Sequence, residues 1–137
     1  MNPGMKRWLI KSEPSSYSWD ELVRDGRTEW DGVRNNAARL HLRAMKPGDE
    51  ALFYRSVAEP AVVGVVKVTR GPAPDPRDNA WVSVEVEPLR ALDNPVTLKA
   101  IKANPKLAQM ELIRQSRLSV APVRAEEWAE VLRMAGG

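Results

Sequence analysis

The nine residues Ala61-Val62-Val63-Gly64-Val65-Val66-Lys67-Val68-Thr69 constrain this chain more than any other stretch. β-branched side chains are stiff at χ1 and suit a pleated surface, so the run predicts a strand. It is apolar on both parities rather than alternating, which places it at the centre of a sheet with both faces covered. Gly64, in the middle, marks a bulge or a barrel bend. A chain of 137 residues can bury such a strand without disulfide or metal support, and one domain spanning 1–137 is expected, with residues 1–5 flexible.

The remaining elements are read outward from that strand. Arg7 to Ser12 predicts a first strand, stopped at Glu13-Pro14 because proline cannot continue a ladder. Ser18-Trp19-Asp20-Glu21 has the capping-box spacing and opens a short helix that ends at Gly26. Asn36 to Met45 predicts a second helix, with Asn36, Arg39, Arg43 and Lys46 on one face and Ala37, Leu40, Ala44 and Met45 packing inward. After the Pro47-Gly48-Asp49 turn, Ala51 to Ser56 predicts a strand, and Gly71 to Pro76 reads as a loop. Trp81 to Glu87 alternates, predicting Val82, Val84 and Val86 inward and Ser83, Glu85 and Glu87 outward. Asp93-Asn94-Pro95 reads as a turn into a helix over Leu98–Ala103. A helical turn within 106–116, a last strand at Arg117–Val120 and an amphipathic helix from Arg124 complete the chain. In that helix Trp128, Val131, Leu132 and Ala135 share a face. Five or so strands with helices gathered around them predict an α+β domain on a small barrel, with a concave pocket at its mouth.

Composition removes several classes of chemistry. There is no cysteine and only one histidine, His41, so thiolate metal sites, a Cys nucleophile and a histidine cluster are excluded. No glycine-rich phosphate loop appears. Glu13, Asp31 and Asp49 each sit beside a turn signal and read as capping or turn residues. No catalytic residue, metal or cofactor is expected. The net charge of +3 is mild and only weakly favours a nucleic-acid partner. No apolar run reaches membrane-spanning length and Met1 to Lys6 lacks signal-peptide character, so a cytoplasmic protein without a membrane partner, a monomer, is expected.

Recognition chemistry is better supplied. Trp30-Asp31-Gly32-Val33-Arg34-Asn35 combines an aromatic plate, a glycine bend, a guanidinium and an amide able to read a base edge. The same tryptophan also reads as a core residue ahead of a helix cap. Period two sets Trp8, Ile10 and Ser12 on one strand face and Leu52, Tyr54 and Ser56 on another, mixing aromatics with hydroxyls. Arg117 and Ser119 repeat the mixture.

Trp8 to Pro14, Trp30 to Asn35, Met45-Lys46-Pro47-Gly48-Asp49, Phe53-Tyr54-Arg55-Ser56 and Arg117-Leu118-Ser119-Val120, in that order and spacing, together resemble the EVE domain, a PUA-like family related to YTH domains. The resemblance runs from about Trp8 to the C-terminal helix. It implies a PUA-like barrel of five to six strands flanked by helices, with a pocket for a base modified in DNA or RNA. It implies further that Trp30 stacks the base, Lys11 and Ser12 sit beside it, Val33, Arg34 and Asn35 form the pocket loop, and Tyr54 and Ser56 stand opposite. A phosphate-binding rim of Arg39, Arg43, Arg117 and Ser119 completes the expected site, with nucleic acid as partner. Two positions depart from the family pattern: Arg55, where members often carry His, and Ala37, where they often carry Gln. A hydrolase acting on RNA or a small amide, for which Lys11 is the one nominee, and a small-molecule sensor are the competing classes.

Overall fold

A computed structural model describes residues 6–13 and 15–136; the expected flexible residues 1–5 lie outside them. Among the described residues six strands form one sheet: β1 (Arg7–Ser12), β2 (Thr28–Trp30), β3 (Glu50–Arg55), β4 (Ala61–Asp75), β5 (Asp78–Thr97) and β6 (Val120–Pro122). Their order is β2-β5-β4-β3-β1-β6, with β1 parallel to β3 and the other pairs antiparallel. The expected central strand is β4, flanked by β5 and β3.

The barrel expectation needs correction: β2 and β6 are the two ends of the ladder, so the sheet is open. It is nevertheless rolled. Trp30 on β2 and Phe53 on β3 are three ladder steps apart, about 14 Å in a flat sheet. Their ring centroids are 5.7 Å apart. Register shifts along β4 and β5 supply the bending, because a bulge kinks its strand and sharpens its twist.

Two segments expected to leave the sheet are bulges within it. Gly71 and Pro72 fall in a register shift between Arg70 and Ala73, after which β4 rejoins β5 through Ala73 and Pro74. Asp93, Asn94 and Pro95 fall in the skip by which Val62 pairs Val96 while Gly64 pairs Ala91. Their turn chemistry acts locally, and the long hairpin pairing carries the strands past it. Gly64 itself lies at a shift in the β3–β4 register. A Cβ there would stand 2.4 Å from the Trp19 ring, so the glycine is required by close approach.

Helices cover both faces. α1 (Trp19–Asp25) and α2 (Asn36–Ala44) close one core, built on Trp8, Ile10, Trp30, Phe53, Val66, Val84 and Val120. α3 (Leu98–Ala103), a 3-10 turn (Pro105–Leu107), α4 (Glu111–Arg114) and α5 (Ala125–Met134) close the other, with Leu9, Leu52, Tyr54, Val65, Trp128 and Val131. Ser18 and Glu21 form the expected capping box on α1. Among the described residues no helix is long and apolar enough to cross a membrane.

Three pattern readings need correction. α2 buries Ala38, Leu42 and Met45, while Ala37 and Ala44 are exposed and Leu40 is 61% exposed. The helix carries apolar residues at helical spacing on two faces, and its placement against the sheet selects one. On β5, Val84 and Val86 are buried as expected, but so is Ser83, whose hydroxyl meets Glu29 and Arg70. A sheet covered on both faces hides either parity. The last strand is shifted to Val120–Pro122, leaving Arg117 and Ser119 ahead of it.

Candidate functional site

The rolled sheet leaves a seam between β2 at one end and β1 with β6 at the other. A cleft of about 530 Å³ opens there. Lys11, Ser12 and Ser119 line one wall, Thr28 to Val33 the other, Glu13, Ser16 and Tyr17 a third side, and Arg77 reaches it from the β4–β5 tip. That volume is in the range of small-ligand sites.

Trp30 forms the floor. It is only 9% exposed, and Tyr17 and Phe53 meet it edge to face at 6.3 and 5.7 Å with interplanar angles of 77° and 78°. Trp30 is thus a core residue that also lines the cleft. Tyr17 is the more accessible aromatic, with its hydroxyl donating to Asp25 at 2.8 Å. Ser12 Oγ donates to the Tyr17 carbonyl at 2.5 Å, fixing the turn after β1.

One buried carboxylate holds the loop after Trp30. Asp75, at the end of β4, accepts from Gly32 N at 2.8 Å, Arg34 Nη1 at 2.9 Å and Arg77 N at 2.7 Å. Burial pushes its pKa up, but these bonds outweigh that and hold it at about 2. Gly32 adopts φ +75°, a conformation that other side chains rarely take. Beneath, Glu29 receives both Arg70 guanidinium nitrogens, at 2.8 and 2.7 Å, and the Ser83 hydroxyl. The Arg70 bond chiefly holds the Glu29 carboxyl below its usual range. Asp31 faces Arg77 at 3.5 Å.

The expected site is thus only partly assembled. Lys11, Ser12, Trp30, Val33 and Ser119 line the cleft together. Arg34 does not line the cleft: its Nη1 donates to Asp75 at 2.9 Å and its guanidinium lies 5.5 Å from the Trp81 ring. Asn35 caps α2, its Oδ1 accepting from Ala38 N at 2.9 Å. Tyr54 is a correction, being buried in the core on the opposite face of the sheet from Trp30. Adjacent parallel strands in register share a parity, so Tyr54 stands beside Lys11 and not beside Ser12. Ser56 is a strand-end residue whose N and Oγ both donate to the Ser12 carbonyl, at 3.0 and 3.2 Å. Of the rim, Arg39 packs on Trp81 at 4.9 Å and donates to the Ala80 carbonyl, while Arg43 and Arg117 are exposed.

Lys11 has its pKa lowered by burial, yet its Nζ donates to the Ser116 carbonyl at 2.7 Å and lies 5.9 Å from the Tyr54 ring. Asp49 performs the turn duty expected of it, accepting from Lys6 N, Lys46 N and Trp8 Nε1. His41 rests 5.9 Å from Trp8, and burial lowers its pKa. A second hollow of about 330 Å³ shares Ser12 and Tyr17 with the cleft and includes Trp19, Phe53 and Arg55. Arg55, one of the departures from the family pattern, sits there with its guanidinium on the Glu59 carbonyl, whereas Ala37 lines neither space. Among the described residues no group of three His, Asp or Glu could hold a metal ion. Sequence reasoning missed Ser16, Tyr17, Thr28, Glu29 and Arg77. Arg77 follows a proline-rich stretch that carries no site signal.

The model of the EVE domain family matches residues 6–134. The chain belongs to the EVE domain family. The solution structure of Rpa0253 from Rhodopseudomonas palustris is 46% identical, with a TM-score of 0.92 over 96% of this chain and 94% of that one. Human thymocyte nuclear protein 1 is 33% identical over 93% of this chain and 72% of its own length. A crystal structure of that human protein in complex with DNA containing 5-methylcytosine superposes with a TM-score of 0.90 at 30% identity, covering 96% and 98% of the two chains. The YTH domain of a Zygosaccharomyces rouxii protein, at 15% identity and a TM-score of 0.60, shares the fold.

Proposed function

We propose that this EVE domain binds a modified nucleobase of DNA or RNA, drawn out of its strand into the seam cleft, without chemical conversion. The observation that carries this is the cleft itself: Trp30 and Tyr17 line it with the hydroxyl-bearing Ser12, Ser16, Thr28 and Ser119, together with the charged Lys11, Glu13, Glu29, Asp31 and Arg77. A flat heterocycle with a polar edge suits that lining. The human relative solved with 5-methylcytosine DNA supports the same reading. Unstacking a base costs a few kcal/mol, which stacking on an aromatic, worth about 1–3 kcal/mol, largely offsets. One methyl group adds about 0.8 kcal/mol of apolar burial, about a fourfold preference; a closely fitted edge raises this toward a hundredfold.

The hydrolase alternative rests on Lys11. Its ammonium is already engaged by the Ser116 carbonyl and turned toward Tyr54, which favours the binding role. The test is calorimetric titration with matched DNA and RNA oligonucleotides, each with and without one methylated base, followed by mass analysis of the recovered nucleic acid. Tighter binding of a methylated strand with unchanged mass is expected. Equal affinity for methylated and plain strands, or a converted base, overturns the proposal.

A further inference from the structure

We propose that Arg77 is the side chain that meets the phosphate of the bound nucleotide, releasing Asp31 to accept from the base. The inference rests on the modified-base reading and names the charge contact within it.

Elimination leads to Arg77: among the described residues Lys11 and Arg77 are the cations that line the cleft, and the exposed Arg43 and Arg117 lie outside its lining. Lys11 Nζ is held by the Ser116 carbonyl at 2.7 Å. Arg70 grips Glu29 with two nitrogens at 2.8 and 2.7 Å. Arg34 is taken by Asp75 at 2.9 Å, and both Arg34 and Arg39 lie against Trp81. Arg77 lines the same cleft with a side chain 68% exposed, and among the described residues its one ionic partner is Asp31, at 3.5 Å from Nε. Such an exposed, loose pair is worth little and is readily exchanged.

The geometry around it gives a fixed root and a free head. Arg77 N donates to the buried Asp75 carboxylate at 2.7 Å, which anchors the backbone of the hairpin tip. The guanidinium lies across Gly32, where a Cβ would stand 3.2 Å from Nη1. An arginine so placed can offer a planar pair of N–H donors to a phosphate oxygen pair, the contact for which its fork is suited. When it turns outward, the Asp31 carboxylate, next to Trp30, becomes an open acceptor inside the cleft. It then favours a base whose edge carries an exocyclic amine, as cytosine and adenine do.

The experiment uses the full chain and three probes: a single-stranded DNA oligonucleotide with one 5-methylcytosine, 5-methyl-2′-deoxycytidine 5′-monophosphate, and the free nucleoside. Arg77→Ala should weaken the oligonucleotide and the monophosphate by about tenfold and leave the nucleoside within about twofold. The slope of log K against log salt for the oligonucleotide should shrink by about 0.7, the share of one phosphate contact on a single strand. Asp31→Asn should cost the monophosphate, whose phosphate draws Arg77 away and exposes Asp31 to the base, more than the nucleoside, which leaves the Arg77–Asp31 pair in place. Arg77→Ala binding the oligonucleotide with wild-type affinity and salt slope overturns the assignment. So does an equal loss for nucleoside and oligonucleotide, which would make Arg77 part of the cleft wall. If the wild-type chain binds none of the three probes, the modified-base reading fails first and this inference with it.

Discussion

Replacing Asp75 by Asn tests whether one buried carboxylate joins the cleft loop to the β4–β5 tip. The side chain is fully buried and accepts from Gly32 N, Arg34 Nη1 and Arg77 N. Arg34 is 38% exposed, so its ion pair contributes less than about 1 kcal/mol. The two main-chain donors contribute about 1 kcal/mol each, and an amide, with one acceptor oxygen in place of two, turns its NH₂ toward one of them and leaves that N–H unsatisfied at a cost of about 1–3 kcal/mol. Together these give about 2–3 kcal/mol. The same bonds lower the Asp75 pKa from 3.8 to about 2, which corresponds to about 2 kcal/mol at about 1.4 per unit. For a domain of this size that lowers Tm by roughly 6–12 °C. The folded-state pKa lies below the unfolded one, so the contribution is complete above about pH 4 to 5 and disappears as pH falls through about 2. Thermal unfolding of both proteins followed by circular dichroism from pH 7 to pH 2 is the assay. A constant gap down to about pH 5 that closes below pH 4 is expected. A gap that persists unchanged at pH 2, or no gap at pH 7, refutes the reasoning.

Gly64→Ala places a methyl group 2.4 Å from the Trp19 ring and should destabilise by about 1–3 kcal/mol in urea titrations, with Trp19→Leu in the same chain recovering part of the loss. Leu40→Glu, on the exposed face of α2, should change stability by no more than about 0.5 kcal/mol; a large loss would mean the helix packs through that face after all. Trp30→Ala should destabilise by about 3–5 kcal/mol as well as abolish ligand binding, because the ring is core and cleft wall together; an unfolding midpoint equal to wild type would remove it from the core.

Much of this protein was legible in its residues because the signals concerned are local. The Ser18–Glu21 box, the strand Arg7–Ser12 and the helix Leu98–Ala103 form where their short-range chemistry places them. The apolar run from Ala61 duly became the middle of the sheet, and the five spaced fragments carried the family. Part of the cleft was legible too, since Lys11, Ser12, Trp30, Val33 and Ser119 do converge. Tertiary structure decided the rest. Period two tells that Tyr54 and Phe53 face opposite ways but not which of them faces Trp30, and the roll of the sheet chose Phe53. Turn residues at Gly71-Pro72 and at 93–95 specify a local bend, yet only pairing across the hairpin determines whether the strand ends there or bulges and continues. Arg34 looked available because its partner is Asp75, 41 positions away, and Arg77 went unnoticed for the same reason. Dihedral preferences and periodicity act over a few residues. The commitment of a charged side chain depends on what the folded chain brings beside it, and that is where the cleft acquired its chemistry.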